Sequence, residues 1–204
     1  MAIACPIDLD TAALRCEVST LYAKVAIQPD GEFHFHRGPA YAAEFLGYDL
    51  AELNALPHEC ARSFAGVGNP LAIGPLHSGE TVMDIGSGAG MDLLLAARRV
   101  GPAGRAIGVD MTEAMRAQAQ AAAVAAGLPQ VEVRAGDATA LPVSEASVDV
   151  IISNGVLNLV PEKEKAFAEI ERVLRPGGRL QLADIVVDSE LSDDVRRNID
   201  LWTG

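Results

Sequence analysis

The sequence is poor in cysteine and in aromatic residues. Of its 204 residues, three are cysteines and 4% are aromatic. Cys5, Cys16 and Cys60 are odd in number and show no Cys-x-x-Cys spacing, so the sequence predicts neither a disulfide framework nor a metal site. We expect these thiols to be free, as is usual in a reducing cytoplasm.

The sequence also lacks long apolar runs and an excess of positive charge. No apolar run approaches the roughly 20 residues that span a bilayer, and the N-terminus lacks the basic start of a secretory signal. We therefore expect a cytoplasmic protein with no membrane contact. A formal net charge of −12, from 28 acidic and 16 basic residues, repels phosphate backbones. A small molecule is thus a better expected partner than nucleic acid.

Glycine is placed where a ligand can approach the backbone. The short apolar run Thr81 to Ile85 predicts a buried strand, and residues 93–97 have the composition of a helix. Between them stand Gly86, Gly88 and Gly90, which lack Cβ atoms and can adopt positive φ beside a helix N-terminus with free N–H groups. The pattern predicts a nucleotide-sized binding site, although close packing of a strand on a helix also selects glycine.

A carboxylate follows the next predicted strand. Asp110 comes twenty residues after Gly90 and closes a second short apolar run, where it can accept hydrogen bonds from a ribose diol. A dinucleotide-binding turn has the form Gly-x-Gly-x-x-Gly, but Met91 occupies the position of its third glycine and Asp84 precedes the turn. Both residues disfavour a nicotinamide-dependent dehydrogenase.

From about Leu76 onward, strand-like and helix-like segments alternate, which is typical of a parallel sheet with crossover helices. Strands are predicted at 81–85, 105–109, 131–135, 148–153 and 179–186, and helices near 90–100, 112–126, 161–174 and 191–201. The sequence predicts an α/β, Rossmann-like, doubly wound and mostly parallel sheet over residues 76–204. Residues 1–75 contain turn-rich segments and are predicted to form an N-terminal cap or lid.

Five motifs in the second part of the chain resemble those of class I S-adenosylmethionine-dependent methyltransferases. They are Asp84-x-Gly86-x-Gly88-x-Gly90 and residues 108–112, 136–138, 151–154 and 175–180. The resemblance covers about residues 76–190, and each motif falls at an expected strand end. It implies the fold predicted above and S-adenosylmethionine as the cofactor.

The resemblance also implies roles for individual residues. The methionine part of the cofactor would lie against Gly86, Ser87 and Gly88 in a turn that ends at Gly90 and is oriented by Asp84. The ribose hydroxyls would bind Asp110, the adenine would contact Met111, Gly136, Asp137 and Ala138, and Ser153 and Asn154 would line the methyl-donor end. For Asp137, a structural turn in Gly-Asp remains an alternative.

Within that superfamily, the chain resembles the arsenite methyltransferase branch. The relevant residues are 66–70, 108–112, 148–154, 156–163 and 201–204. Trivalent arsenic requires soft sulfur ligands, but two cysteine positions of that branch hold Val67 and Gly155, and the next would follow Gly204. Cys60 is the only thiol nearby in sequence. The sequence therefore predicts methyl transfer to a small molecule by a relative that lacks the arsenic-binding cysteines.

Methyl transfer from a sulfonium needs alignment more than a nucleophilic side chain. If the acceptor needs a base, His34 and His36 are the candidates, because alternate residues of an extended segment face the same side. The same pair could bind a metal, but a third ligand is not visible in the sequence. Solvent-facing histidines above an inner face of phenylalanines would give the same pattern.

An alternative is a non-catalytic or truncated S-adenosylmethionine-binding module that self-associates. Folds of this kind usually continue after the fifth strand with a helix and a final antiparallel pair, and we expect this strand pair to be missing. The fifth predicted strand, 179–186, would then be an apolar sheet edge, which favours pairing with another chain. A homodimer is therefore possible.

Overall fold

The computed structural model describes residues 10–186 and 188. Its strands are β1 Thr81–Ile85, β2 Arg105–Asp110, β3 Val131–Ala135, β4 Val148–Asn154 and β5 Leu174–Ala183. Its helices are α1 Thr11–Ile27, α2 Gly38–Leu46, α3 Leu50–Asn54, α4 His58–Arg62, α5 Met91–Val100, α6 Glu113–Ala125 and α7 Lys163–Val173. The strands form one parallel sheet in the order β3-β2-β1-β4-β5, which confirms the predicted fold class.

The central strands β1, β2 and β4 are buried on both faces of the parallel sheet, which explains why they are mostly apolar. Successive side chains of a strand point to opposite faces. Val82 and Val150 lie in a cluster with residues of α5 and α6, whereas Met83 and Ile151 lie in a second cluster with residues of α7. The two clusters hold helices against both faces of the sheet.

The predicted strands β1 to β4 agree with the structure to within one residue, but the fifth does not. β5 begins at Leu174, which pairs with Val148, and a register shift follows between Val148 and Val150. Residues 175–178, which precede the predicted strand start at 179, therefore belong to the strand, and β5 ends at Ala183 instead of 186. The helix predicted at 191–201 lies outside the described residues.

The N-terminal helices pack on the second half of the chain. The Asp10 side chain caps α1 by accepting hydrogen bonds from Ala12 N and Ala13 N, both at 3.0 Å. Gln118 of α6 donates to Ala26 O at 2.5 Å and accepts from Ser63 Oγ at 3.2 Å. These bonds place α1 and the segment after α4 against α6.

Candidate functional site

A cleft lies at the carboxyl ends of β1 to β4, next to the point where the strand order reverses between β1 and β4. It encloses about 1120 Å³ of space, part of it open solvent, which suits a nucleoside-sized ligand. The predicted residues that line it are Asp84, Gly86, Ser87, Gly88, Asp110, Met111, Gly136, Asp137, Ala138 and Asn154. Four of the five sequence motifs thus meet in one cleft, whereas residues 175–180 lie outside its lining.

The glycine turn connects β1 to α5. Gly86, Gly88 and Gly90 have φ values of 70°, 52° and 98°, which L side chains rarely adopt. A Cβ atom on Gly88 would meet only Met115 Sδ, at 4.0 Å, so this part of the turn is open. Gly90 does not line the cleft, and its Cβ position lies 3.1 Å from Ala119 Cβ. Close approach to α6 explains a glycine at Gly90.

The Asp110 carboxylate joins the end of β2 to the glycine turn. Its Oδ2 accepts a hydrogen bond from Gly88 N at 2.9 Å, and its Oδ1 accepts one from Thr112 N at 2.8 Å. Burial raises its pKa, and these two bonds act in the opposite direction. Because each oxygen can accept a second hydrogen bond, the carboxylate can still bind a diol in the cleft.

Among residues 10–186 and 188, two buried polar atoms at the cleft have no hydrogen-bond partner. They are Asp84 Oδ2 and Ser87 Oγ, on side chains that are 3% and 7% exposed. Burial, together with the charges of Asp92 and Asp110, holds the pKa of Asp84 well above its usual value. An unpartnered buried polar atom costs free energy, so a ligand with a donor or a positive charge would stabilise this part of the cleft.

A second buried carboxylate, Asp92, was not predicted from the sequence. It lies in the first turn of α5, lines the cleft and is 5% exposed. Tyr48 Oη donates to its Oδ1 at 2.7 Å, and Asn154 Nδ2 donates to its Oδ2 at 3.0 Å. Burial raises the pKa of Asp92 to about 6, against the effect of these bonds. A carboxylate in the otherwise apolar first seven residues of α5 was the available signal.

The two residues predicted at the methyl-donor end are placed differently from one another. Ser153 is fully buried and does not line the cleft, because its Oγ donates to Ile85 O at 3.2 Å and joins β4 to β1. Asn154 does line the cleft. Its Oδ1, however, accepts hydrogen bonds from Val67 N at 2.8 Å and Gly68 N at 3.1 Å.

Asp137 lies between its own turn and the first helix. Its Oδ1 accepts from Thr139 N at 2.7 Å, as the turn alternative predicts, and its Oδ2 lies 3.5 Å from Arg15 Nε. Arg15 also donates to Glu162 Oε2 at 2.6 Å. Arg15 was not predicted, since its partners are far away in sequence.

One face of α1 covers the cleft. Arg15, Val18 and Tyr22 all line it, and their three- and four-residue spacing places them on the same side of the helix. Burial, with the nearby charges of Asp110 and Asp184, raises the pKa of Tyr22 to about 12. The tyrosine hydroxyl therefore stays neutral at physiological pH.

The structure does not bring His34 and His36 to the cleft. Both histidines are exposed and absent from its lining, whereas Phe33 and Phe35 pack against the core. The His36 ring stacks on Tyr41 with 5.1 Å between centroids. This arrangement is the solvent-facing alternative, and a catalytic role for the pair stays a prediction.

The thiol nearest to the cleft is buried. Cys60 lines the cleft, and its Sγ donates to Pro57 O at 3.0 Å. Burial raises the pKa of this thiol to about 12, so the thiolate is scarce at neutral pH. Val67 and Gly155 occupy two cysteine positions of the arsenite branch. They lie next to each other, since a Cβ atom on Gly155 would be 3.2 Å from Val67 Cγ1.

The described part of the chain contains neither a metal-binding cluster nor a membrane-spanning helix. Among residues 10–186 and 188, no group of three or more His, Cys, Asp and Glu side chains is arranged to hold a metal ion. In the same part of the chain, no helix has both the length and the apolar character to cross a membrane.

The fold and the cleft define a Rossmann-like domain with a site for a nucleoside-containing cofactor. Residues 76–203 match the family described as Methyltransferase domain, and the chain belongs to this family. S-adenosylmethionine is the cofactor that the family implies. The cleft suits its charge, because the unpartnered Asp84 oxygen lies beside an open glycine turn.

Similar proteins include arsenite methyltransferases. One from Halobacterium salinarum is 45% identical over 165 residues, which are 81% of this chain and 42% of the relative. The crystal structure of an arsenic(III) S-adenosylmethionine methyltransferase from Chlamydomonas reinhardtii matches with a TM-score of 0.66 and 36% identity over 71% of this chain and 51% of that one. These matches confirm the resemblance to the arsenite branch.

The chain is also similar to a relative that is not named as an arsenite methyltransferase. Nocamycin O-methyltransferase from Saccharothrix syringae is 36% identical over 115 residues, which are 56% of this chain and 41% of that protein. The chain spans less than half the length of these two curated relatives.

Proposed function

We propose that this chain transfers the methyl group of S-adenosylmethionine to a small molecule. The observation that carries the proposal is the contact between the Asp110 carboxylate and the Gly88 amide in an open cleft. This contact places a carboxylate that can accept hydrogen bonds from a ribose diol next to the exposed main chain of the glycine turn. A nucleoside cofactor requires this arrangement.

The bound cofactor would supply an activated methyl group, and the protein would align and enclose it. Gly86 to Gly88 would hold the amino-acid part, Asp110 the ribose, and Asp137 the adenine. The N-terminal segment would act as the cap, because Val18 and Tyr22 of α1 line the cleft. Holding two reactants in a near-attack geometry contributes about 7–11 kcal/mol to such reactions.

The acceptor side argues against trivalent arsenic as the substrate. Val67 packs against Gly155 where a thiolate pair would be needed, and Cys60 is a buried thiol with a raised pKa. A single protonated thiol is a poor ligand for a soft metalloid. The proposed reaction is therefore that of a relative of the arsenite enzymes whose acceptor needs no sulfur ligands.

A methyl-transfer assay tests this proposal. The chain is incubated with radiolabelled S-adenosylmethionine and with arsenite, thiols, phenols or amines in separate reactions. We expect transfer to at least one organic acceptor and little or none to arsenite. Arsenite as the best acceptor would contradict the proposed acceptor class. Cofactor binding without transfer to any acceptor would favour the non-catalytic module.

A homodimer in the cytoplasm is the proposed state of the chain. β5 is an edge strand, and Ile185 and Val186 after it are 58% and 79% exposed. Such an edge favours strand pairing with a second copy. Cys16 and Cys60 are free thiols, which is usual for the cytoplasm. Light scattering should give twice the chain mass, and a monomer at high concentration would contradict the dimer.

A further inference from the structure

The cleft wall beside Gly155 includes a short segment in which two glycines have no room for a side chain. The wall segment is defined here as Gly66, Val67 and Gly68. A Cβ atom on Gly66 would come within 2.6 Å of Asn154 Cγ, and one on Gly68 would lie 2.8 Å from Ala183 Cβ. Distances this short are essentially not seen for real Cβ atoms. The wall segment thus lies directly on the ends of β4 and β5.

The side chain of Asn154 holds the wall segment as a peptide group would. Its Nδ2 donates to Gly68 O at 2.8 Å, while its Oδ1 accepts from Gly68 N at 3.1 Å and from Val67 N at 2.8 Å. These three bonds engage both ends of the Asn154 amide. Asn154 lines the cleft, but its polar atoms are directed to protein partners.

Asp92 and the wall segment favour the same orientation of the Asn154 amide. A carboxylate only accepts hydrogen bonds, so Asn154 must present Nδ2 to Asp92 Oδ2, at 3.0 Å. Its Oδ1 is then directed toward the backbone N–H groups of the wall segment. Tyr48 completes the network, because its Oη donates to Asp92 Oδ1 at 2.7 Å and lies 3.2 Å from Gly68 O.

The network is separate from the bonds that form the glycine turn. Gly86 N and Ser87 N donate to Val109 O, at 2.8 and 3.2 Å, and Gly88 N donates to Asp110. A change in the network should therefore move the wall segment and leave the turn in place. Gly66 and Gly155 both line the cleft, so movement of the wall segment changes the shape of the cleft there.

We infer that Asp92 is a positioning residue for the methyl acceptor, acting through Asn154 on the wall segment Gly66–Gly68. The inference rests on the proposed function and extends it to the residues that hold the wall segment in place. Loss of the Asp92 charge would allow the Asn154 amide to rotate and release Val67 N and Gly68 N. The acceptor would then be held loosely, while the cofactor would still bind.

The charged state of Asp92 should make kcat/KM for the acceptor depend on pH. The groups that face it are Asp84 on β1, Tyr48 between α2 and α3, Asn154 on β4 and Arg99 on α5. Because the pKa of Asp92 is raised to about 6, the carboxylate is present above that pH and is lost as the pH falls through it. We expect kcat/KM for the acceptor to fall over the same range.

Asp92→Asn is the main variant, and Asp149→Asn is its matched control at the opposite end of the strands. For Asp92→Asn we expect kcat/KM for the acceptor to fall at least about tenfold. The decline of kcat/KM on the acid side of the pH profile near pH 6, here called the acid limb, should disappear. Cofactor Kd should change by less than about threefold. The control variant should retain both the wild-type kcat/KM and the acid limb of its pH profile.

Tyr48→Phe is a milder variant that removes one hydroxyl. The hydrogen bond from Tyr48 lowers the pKa of Asp92, so its loss should move the acid limb to higher pH without abolishing it. Asp92→Asn with normal kcat/KM, or with an unchanged acid limb, would overturn the inference. An equal loss of cofactor affinity would also overturn it, since Asp92 would then act on the cofactor.

Amide hydrogen exchange at Val67 and Gly68 tests the network independently of activity. We expect slow exchange in the wild-type chain and at least about tenfold faster exchange in Asp92→Asn. Unchanged exchange in the variant would overturn the inference even if the chain is active. A wild-type chain that shows slow exchange but no methyl transfer would overturn the proposed function, and the acceptor role of Asp92 with it.

Discussion

Asp110→Asn is expected to weaken S-adenosylmethionine binding about 100-fold or more. The carboxylate accepts from Gly88 N and Thr112 N, and in the proposed complex it also accepts from the ribose. Hydrogen bonds to charged groups contribute about 1.5–3 kcal/mol each, and 1.4 kcal/mol corresponds to a factor of ten. Equilibrium dialysis with labelled cofactor measures the change.

Asp149→Asn is the control for this prediction. Asp149 accepts from Thr81 N at 2.8 Å and pairs with Arg175 at 2.5 Å, at the opposite end of the strands. The substitution removes the same charge from the same sheet. Because Asp149 lies at the end of the strands opposite the cleft, cofactor affinity should stay unchanged. Similar losses in the two variants would show that the effect comes from the fold and not from the cleft.

Gly86→Ala should abolish measurable cofactor binding. Gly86 has a φ of 70°, and a Cβ atom there would lie within 2.8 Å of Val156 Cγ1. The turn must then shift, and the hydrogen bond from Gly86 N to Val109 O, at 2.8 Å, would be distorted. We expect a loss of at least about 100-fold in affinity, equivalent to about 3 kcal/mol.

Gly79→Ala separates backbone strain from the effect on the cleft. Gly79 has a φ of 89°, and a Cβ atom there would meet nothing within 4 Å. This variant should lose about 1 kcal/mol of folding stability, as expected for a left-handed residue with a side chain, and bind the cofactor normally. Thermal unfolding and the same dialysis assay compare the two variants. Normal binding by Gly86→Ala would contradict the proposed geometry of the turn.

The central strands were predictable because they are buried on both faces. A short apolar run such as Thr81–Ile85 or residues 106–109 has few alternatives in an alternating α/β pattern. The start of β5 was not predictable in this way. Arg-Pro-Gly-Gly at 175–178 has the composition of a helix stop, and only pairing of Leu174 with Val148 makes it part of the strand.

The cleft was predictable where its residues follow strands directly. Asp84 and Asp110 lie at the carboxyl ends of neighbouring strands, and parallel strands bring those ends together. Asp92 and Arg15 were missed, because their importance depends on partners from distant segments, such as Tyr48 and Glu162. A motif identifies residues near each other in sequence and carries little information about these long-range contacts.

A calorimetric titration of the wild-type chain with S-adenosylmethionine tests the central claim most directly. The proposed cleft predicts saturable binding of one cofactor per chain, with competition by the demethylated product. The same titration of Asp110→Asn should show little or no heat. Absence of binding to a folded wild-type chain, or equal binding by the Asp110→Asn variant, would contradict the proposed site.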